Sequence, residues 1–143
     1  MTDVICDASV VLKWFHDEGE QEVEEARRLL ASHRKGMLTT WVLDLTFYEL
    51  GNILLRALRW PAAEVAAQLD DVRAICAVLV PNATELRLAA QLAEAHALTF
   101  YDAAYAAAAR SRGAALATAD RALLGAGGGE PPGVIAARAG APP

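Results

Sequence analysis

The chain is poor in the features that mark secreted, disulfide-stabilised or membrane-spanning proteins. It contains only two cysteines, Cys6 and Cys76, and both lie inside apolar runs, so we expect reduced packing residues rather than a disulfide framework. A helix that spans a bilayer needs about 20 apolar residues, and no apolar run in the sequence approaches that length. No basic segment precedes a long apolar stretch near the N-terminus. We therefore expect no signal peptide, no membrane association and a cytoplasmic location.

The chain also lacks the basic excess typical of proteins that bind nucleic acid through charge alone. Its formal net charge is −5, with 13 Lys and Arg against 18 Asp and Glu. Two explanations stay open: a solubilising surface, or acidic residues gathered at a metal site with basic residues at its rim. With 143 residues, of which 55% are hydrophobic, the composition predicts one domain over residues 1–136 and a frayed tail over 137–143.

Short apolar segments alternate with helical patterns along the chain. Strands are predicted at residues 4–6, 37–40, 77–80 and 115–118, with a further edge strand at 134–136. Helices are predicted at residues 8–15, 20–35, 44–59, 61–75, 83–97, 102–112 and 120–124, and a flexible loop at 125–133. This alternation, with no two-residue hairpin turns, predicts an α/β fold with a mostly parallel sheet between helices.

Two of three candidate aspartates lie where a parallel sheet collects its ligands. Asp7 follows the first strand and Asp120 follows the strand that ends at Thr118, so both should lie at the carboxyl edge of the sheet. Asp102 begins a predicted helix. Each of the three could instead serve as a helix N-cap, since aspartate is a favoured capping residue.

Glu49 lies inside a predicted helix rather than at its start. Thr46, Asn52 and Arg56 share its face at helical spacing, and the other positions of this helix are mostly apolar. The stripe either faces solvent or lines a cleft.

Four converging carboxylates would repel one another unless some bound protons or a cation joined them. Carboxylate oxygens suit Mg²⁺ or Mn²⁺, and no His/Cys spacing indicates zinc. Such a cation would support phosphodiester hydrolysis. Other constellations fail: the chain has no glycine-rich phosphate loop after the first strand, no nucleophile elbow and no paired histidines.

These residues resemble those of PIN-domain nucleases of the VapC toxin type. Four segments in the right order carry the resemblance, namely VICDASVVLKWF at 4–15, YELGNIL at 48–54, YDAAYAAAA at 101–109 and ATADRALL at 117–124. The resemblance implies a PIN-like three-layer sandwich with a mostly parallel sheet of four to five strands. It further implies an Mg²⁺- or Mn²⁺-dependent ribonuclease that acts as a homodimer and is inhibited by a VapB-type antitoxin.

Carried over by position, the resemblance assigns metal binding and catalysis to Asp7, Glu49, Asp102 and Asp120. It assigns supporting roles to Ser9, Asn52 and Thr118. The C-terminal region departs from the pattern, which leaves the last strand open.

Basic and aromatic residues near these motifs could contact RNA. The candidate phosphate ligands are Lys13, Arg56, Arg59 and Arg121, and the alternative for each is ordinary surface charge. Trp14, Phe15 and Trp41 could stack on bases but more readily fill the core or an interface. The main alternative function is a non-catalytic PIN-like module that binds protein or RNA without cleavage.

Overall fold

Four short apolar segments form one parallel sheet in the computed structural model, which describes residues 2–140. The strands are β1 (Thr2–Cys6), β2 (Leu38–Leu43), β3 (Ala77–Leu79) and β4 (Ala115–Ala117), and their order in the sheet is β3-β2-β1-β4. Every pairing is parallel, because helices cross between consecutive strands. This confirms the α/β fold and the predicted parallel sheet.

Helices connect the strands and cover both faces of the sheet. They are α1 (Ala8–Lys13), α2 (Val23–Arg34), α3 (Asp44–Asn52), α4 (Ala62–Ile75), α5 (Ala83–His96), α6 (Phe100–Arg112), α7 (Arg121–Gly125) and α8 (Pro132–Ala139). Within the described residues, no helix is both long and apolar enough to cross a membrane.

The alternation of β1 side chains explains the three layers. Val4 and Cys6 are buried in the core shared with α1 to α4 and α8, whereas Ile5 is buried on the other face against α6. The segment Ala103–Ala109 is buried throughout, and its alanines, which are all of its residues except Tyr105, let α6 lie close to the sheet. The fold is therefore the expected helix–sheet–helix sandwich.

Two predicted helices begin two or more residues away from their predicted starts. The second was predicted from residue 20, but α2 starts at Val23, because Glu22 adopts a left-handed conformation with φ of 56° and Glu20 pairs instead with Lys13. The helix predicted from residue 102 starts at Phe100. Thr99 is its N-cap, and its hydroxyl accepts a hydrogen bond from the Asp102 amide at 3.1 Å.

The helix predicted over residues 44–59 changes from an α-helix to a π-helix partway along its length. After α3 the chain forms a π-helix over Ile53–Ala57, in which the amide of Leu58 donates to the carbonyl of Ile53 at 3.0 Å. Arg59, with φ of 58°, then ends the helical path. Such wider turns are frequent at functional sites, and this one directly follows the helix that carries Glu49.

The predicted edge strand at residues 134–136 is wrong, because these residues belong to α8. A proline at the start of α8 favours a helix, and Ile135 is buried beside α2. Residues 137–139, expected to fray, continue this helix, and residues 141–143 lie outside the described part of the chain. The predicted flexible loop instead adds one bridge to the sheet, where Glu130 pairs in parallel with Ala117.

Gly129, beside this bridge, leaves no room for a side chain. A Cβ atom there would lie 2.5 Å from Cγ2 of Thr118 and 3.2 Å from the carbonyl oxygen of Leu116. We expect Gly129→Ala to lower the free energy of unfolding by about 1–3 kcal/mol, measured by urea denaturation, because Thr118 or the bridge must shift. Gly125→Ala is the matched control, since nothing lies within 4 Å of its Cβ position. Equal stability of the two variants would contradict this packing.

Candidate active site

Asp7 lies at the carboxyl end of β1, where the neighbouring strand β4 also ends. Its amide donates to the carbonyl of Ala117 at 3.2 Å, which continues the parallel pairing by one residue. Its Oδ1 accepts hydrogen bonds from the Ser9 hydroxyl at 2.5 Å and the Val10 amide at 3.2 Å. Its Oδ2 accepts a hydrogen bond from the Thr118 hydroxyl. Asp7 thus caps α1 and is also bound to the segment after β4.

The environment of Asp7 disfavours its negative charge. The side chain is only 4% exposed, and burial raises the pKa of Asp7 from 3.8 to about 6. The hydrogen bonds from Ser9, Thr118 and Val10 oppose this shift, and the charge of Asp102 adds to it. Hydroxyl donors therefore orient the carboxylate without neutralising it.

The same two hydroxyls position the segment that carries Asp120. Thr118 Oγ1 accepts a hydrogen bond from the Asp120 amide at 2.9 Å, and Ser9 Oγ accepts one from the Ala119 amide at 2.9 Å. Asp120 Oδ1 in turn accepts from the Leu123 amide at 3.0 Å and caps α7. For Asp7 and Asp120, the capping role and a place in the acidic site therefore coexist.

Asp102 lies in the first turn of α6 and does not cap it, since Thr99 does. Its side chain is half-buried, and burial together with the charge of Asp120 raises its pKa, while a hydrogen bond with Thr99 partly offsets the rise. The capping explanation considered for this residue is wrong.

Glu49 reaches the site from α3, which follows β2. Its Oε1 accepts a hydrogen bond from the Tyr105 hydroxyl at 2.5 Å. Burial is the largest cause of the raised pKa of Glu49, and the charges of Asp7, Asp102 and Asp120 raise it further. The four predicted carboxylates are thus brought close enough to interact electrostatically.

Tyr105 is the member of the site that the sequence analysis missed. It is 1% exposed, and its hydroxyl also bonds Thr46 Oγ1 at 2.8 Å. Burial and the charge of Glu49 raise the pKa of Tyr105, so its hydroxyl stays a proton donor. A signal was present: Tyr105 interrupts a run of alanines and follows Asp102 by three residues, on the same helix face.

Within the described residues, no basic side chain forms an ion pair with the acidic cluster. Among residues 2–140 the ion pairs join Lys13 with Glu20, Arg112 with Glu85 and Arg138 with Glu130, and none of them includes a site carboxylate. Uncompensated carboxylate oxygens are the ligands that Mg²⁺ and Mn²⁺ prefer, so the donor set and charge fit such a cation. No three Asp, Glu, His or Cys side chains in the described part of the chain are already grouped as a metal site, so the carboxylates would have to move closer to share one ion.

The predicted rim residues divide into two groups. Lys13 is 6% exposed and its Nζ lies 2.9 Å from Glu20 Oε1, so we remove it from the candidate phosphate ligands. Arg56, Arg59 and Arg121 are exposed. Asn52 is also exposed, and the structure describes no hydrogen bond from it to the carboxylates.

The three aromatic residues considered for base stacking all make contacts within the protein. Trp14 is buried and its Nε1 donates to the carbonyl of Ala26 at 3.0 Å, and the Trp41 Nε1 donates to Asp3 at 3.1 Å. Phe15 packs against Trp60 with 6.2 Å between ring centroids. The interpretation as packing residues is therefore favoured.

The geometry defines a class of protein: a parallel α/β domain with a cluster of interacting carboxylates, two of which follow the carboxyl ends of adjacent strands. Comparison with known families then identifies the family. The PIN domain model matches residues 4–128, and the chain belongs to the PIN domain family.

Two solved structures share the fold across nearly the whole chain. PAE2754 from Pyrobaculum aerophilum is 29% identical with a TM-score of 0.68, and the match covers 96% of this chain and 95% of that one. VapC20 of Mycobacterium tuberculosis, described as a sarcin–ricin loop cleaving toxin, is 19% identical with a TM-score of 0.69, covering 87% and 95%. A comparison with curated proteins gave no match.

The raised pKa of Asp7 predicts that the metal-free protein loses stability as pH rises. The folded state binds this proton more tightly than the unfolded chain, so the contribution is present below about pH 4 and is lost as pH rises through about 6. A shift from 3.8 to about 6 corresponds to about 3 kcal/mol. Glu49 and Asp102 shift in the same direction.

Urea unfolding in EDTA between pH 4 and pH 7 measures this loss. Because Asp7→Asn cannot titrate, its stability should rise relative to that of the wild type over this range. A difference between the two proteins that stays constant with pH would contradict the assignment.

Proposed function

We propose that the protein is a metal-dependent endoribonuclease, the toxin of a VapBC-type toxin–antitoxin pair. The observation that carries the proposal is the electrostatic interaction of Asp7, Glu49, Asp102 and Asp120, which come from four separate segments and pair with no basic side chain among residues 2–140. Membership of the PIN domain family supports a nuclease. The shared fold with a toxin described as cleaving the sarcin–ricin loop supports RNA as the substrate and toxicity as the role.

The proposed cofactor is Mg²⁺ or Mn²⁺, held by the four carboxylates. When bound, the cation would activate water and stabilise negative charge on the scissile phosphate. The residues of the chain supply the geometry: Ser9 and Thr118 orient both oxygens of Asp7, and Thr118 links that carboxylate to the Asp120 backbone. Asp102 and Glu49 complete the site from α6 and α3.

Exposed arginines are the proposed phosphate contacts. Arg121 directly follows Asp120, and Arg56 and Arg59 lie in and after the π-helix that follows the Glu49 helix. Guanidinium groups bind phosphate without reading base sequence, so they would hold the RNA backbone against the repulsion of the acidic cluster.

The proposed partners are those expected for a PIN-domain nuclease of the VapC toxin type. A VapB-type antitoxin would inhibit the enzyme, and the active form would be a homodimer in the cytoplasm. Size-exclusion chromatography with light scattering would test the dimer, and co-expression with the antitoxin would test inhibition.

A cation that binds only the folded protein should stabilise it. At a Mn²⁺ concentration 100 times its Kd, we expect the free energy of unfolding to rise by about 2.7 kcal/mol, measured by denaturation with and without the metal. Asp102→Asn should lose most of this gain. Asp70→Asn, at an exposed carboxylate on α4, is the matched control and should keep it. No stabilisation of the wild type would favour a structural cap network instead.

Cleavage should depend on the same carboxylates. We expect purified, antitoxin-free protein to cut labelled total RNA in Mn²⁺ or Mg²⁺ but not in EDTA, with Asp102→Asn slower on the order of 100-fold or more. Asp70→Asn should keep full activity. Full activity of Asp102→Asn with an unchanged melting profile would overturn the site. RNA binding without cleavage or metal stabilisation would indicate the non-catalytic PIN-like module.

A further inference from the structure

A chain of hydrogen bonds joins the end of β2 to Glu49 through two buried hydroxyls. The Leu43 amide, at the last residue of β2, donates to Thr46 Oγ1 at 3.1 Å. Thr46 Oγ1 lies 2.8 Å from the Tyr105 hydroxyl, which lies 2.5 Å from Glu49 Oε1. Thr46 and Tyr105 are 0% and 1% exposed, so water does not compete for these bonds.

The direction of this chain is determined by its two ends. The Leu43 amide can only donate, so Thr46 Oγ1 accepts there and uses its own proton elsewhere. Tyr105 has one hydroxyl proton and donates it to Glu49, so it accepts from Thr46. Every donor therefore points toward the Glu49 carboxylate, with the backbone of the sheet as the anchor.

The chain of hydrogen bonds also joins two helices that carry site carboxylates. Thr46 and Glu49 lie three residues apart on one face of α3, and Asp102 and Tyr105 are spaced likewise on α6. One hydroxyl thus links the Glu49 helix to the Asp102 helix. The structure describes no hydrogen bond to the second oxygen of Glu49, Oε2.

We propose that Tyr105, held by Thr46, is a positioning residue that fixes the Glu49 carboxylate by one oxygen and leaves the other free to join the other site carboxylates in holding a cation. The proposal deepens the proposed function and rests on it for the link to cation binding and cleavage. Positioning itself is a property of the fold and can be tested separately.

The direct test is the crystal structure of metal-free Tyr105→Phe beside that of the wild type. The buried ring is kept and only the hydroxyl is lost, so we expect the fold to persist while the Glu49 carboxylate leaves its wild-type position. Tyr101→Phe, at a 61% exposed tyrosine on the same helix, is the matched control and should leave Glu49 in place. If Glu49 keeps its position in Tyr105→Phe, the proposal is overturned, whether or not the protein is a nuclease.

Metal binding and kinetics give a second test. Loss of one hydrogen bond to a charged group predicts a Mn²⁺ Kd about 10-fold weaker by calorimetry in Tyr105→Phe, and kcat about 10-fold lower with little change in KM. Thr46→Val should weaken Mn²⁺ binding and lower kcat by the same factors. Thr46→Ser keeps the hydroxyl and should retain the wild-type Kd and kcat. These threonine variants test the same chain if Tyr105→Phe fails to fold.

A double-mutant cycle separates positioning from a general structural role. In a Glu49→Ala background, Tyr105→Phe should cause no further loss of Mn²⁺ affinity or kcat, because the residue acts through Glu49. An equal loss in both backgrounds would overturn the proposal. If the wild type neither binds Mn²⁺ nor cleaves RNA, the proposed function fails, and the pair of crystal structures still decides the position of Glu49.

Discussion

The parallel pairing of β1 with β4 is the constraint on which the site depends. It places Cys6 beside Ala117, so that the residues immediately after both strands leave the sheet together. Asp7 and Thr118 then come within hydrogen-bonding distance although they are 111 positions apart. The Ser9 hydroxyl and the backbone of the segment after β4 complete the connection. A shift in this register would separate every one of these groups.

The site retains an electrostatic penalty that the buried acid Glu85 avoids. Elsewhere a buried acid such as Glu85 is paired with Arg112, which lowers its pKa. At the acidic cluster, burial and mutual repulsion raise the pKa of Asp7, Glu49 and Asp102, and hydroxyl and amide donors partly offset the shift. Natural proteins carry such locally unfavourable arrangements where function requires them. The missing counter-charge is what makes the cluster suited to a divalent cation.

The sequence predicted most of the fold, because apolar periodicity and capping residues act locally. It failed where a distant contact decided the conformation. Residues 134–136 look like a strand, but burial of Ile135 beside α2 stabilises a helix. Lys13 was a candidate phosphate ligand in the sequence, but in the structure it forms an ion pair with Glu20. The change to a π-helix after α3 has no local sequence signal that we identified.

The sequence by itself determined most of the succession of strands and helices along the chain and which acids follow strand ends, since both depend on residues close along the chain. It also supplied the four carboxylate candidates by resemblance to a family. Tertiary structure alone decided that these acids interact with one another and, within residues 2–140, form no ion pair with a basic side chain. It also decided that Tyr105 links Glu49 to the end of β2. The physical reason is that burial, charge coupling and directional hydrogen bonds depend on distances between segments far apart in the sequence.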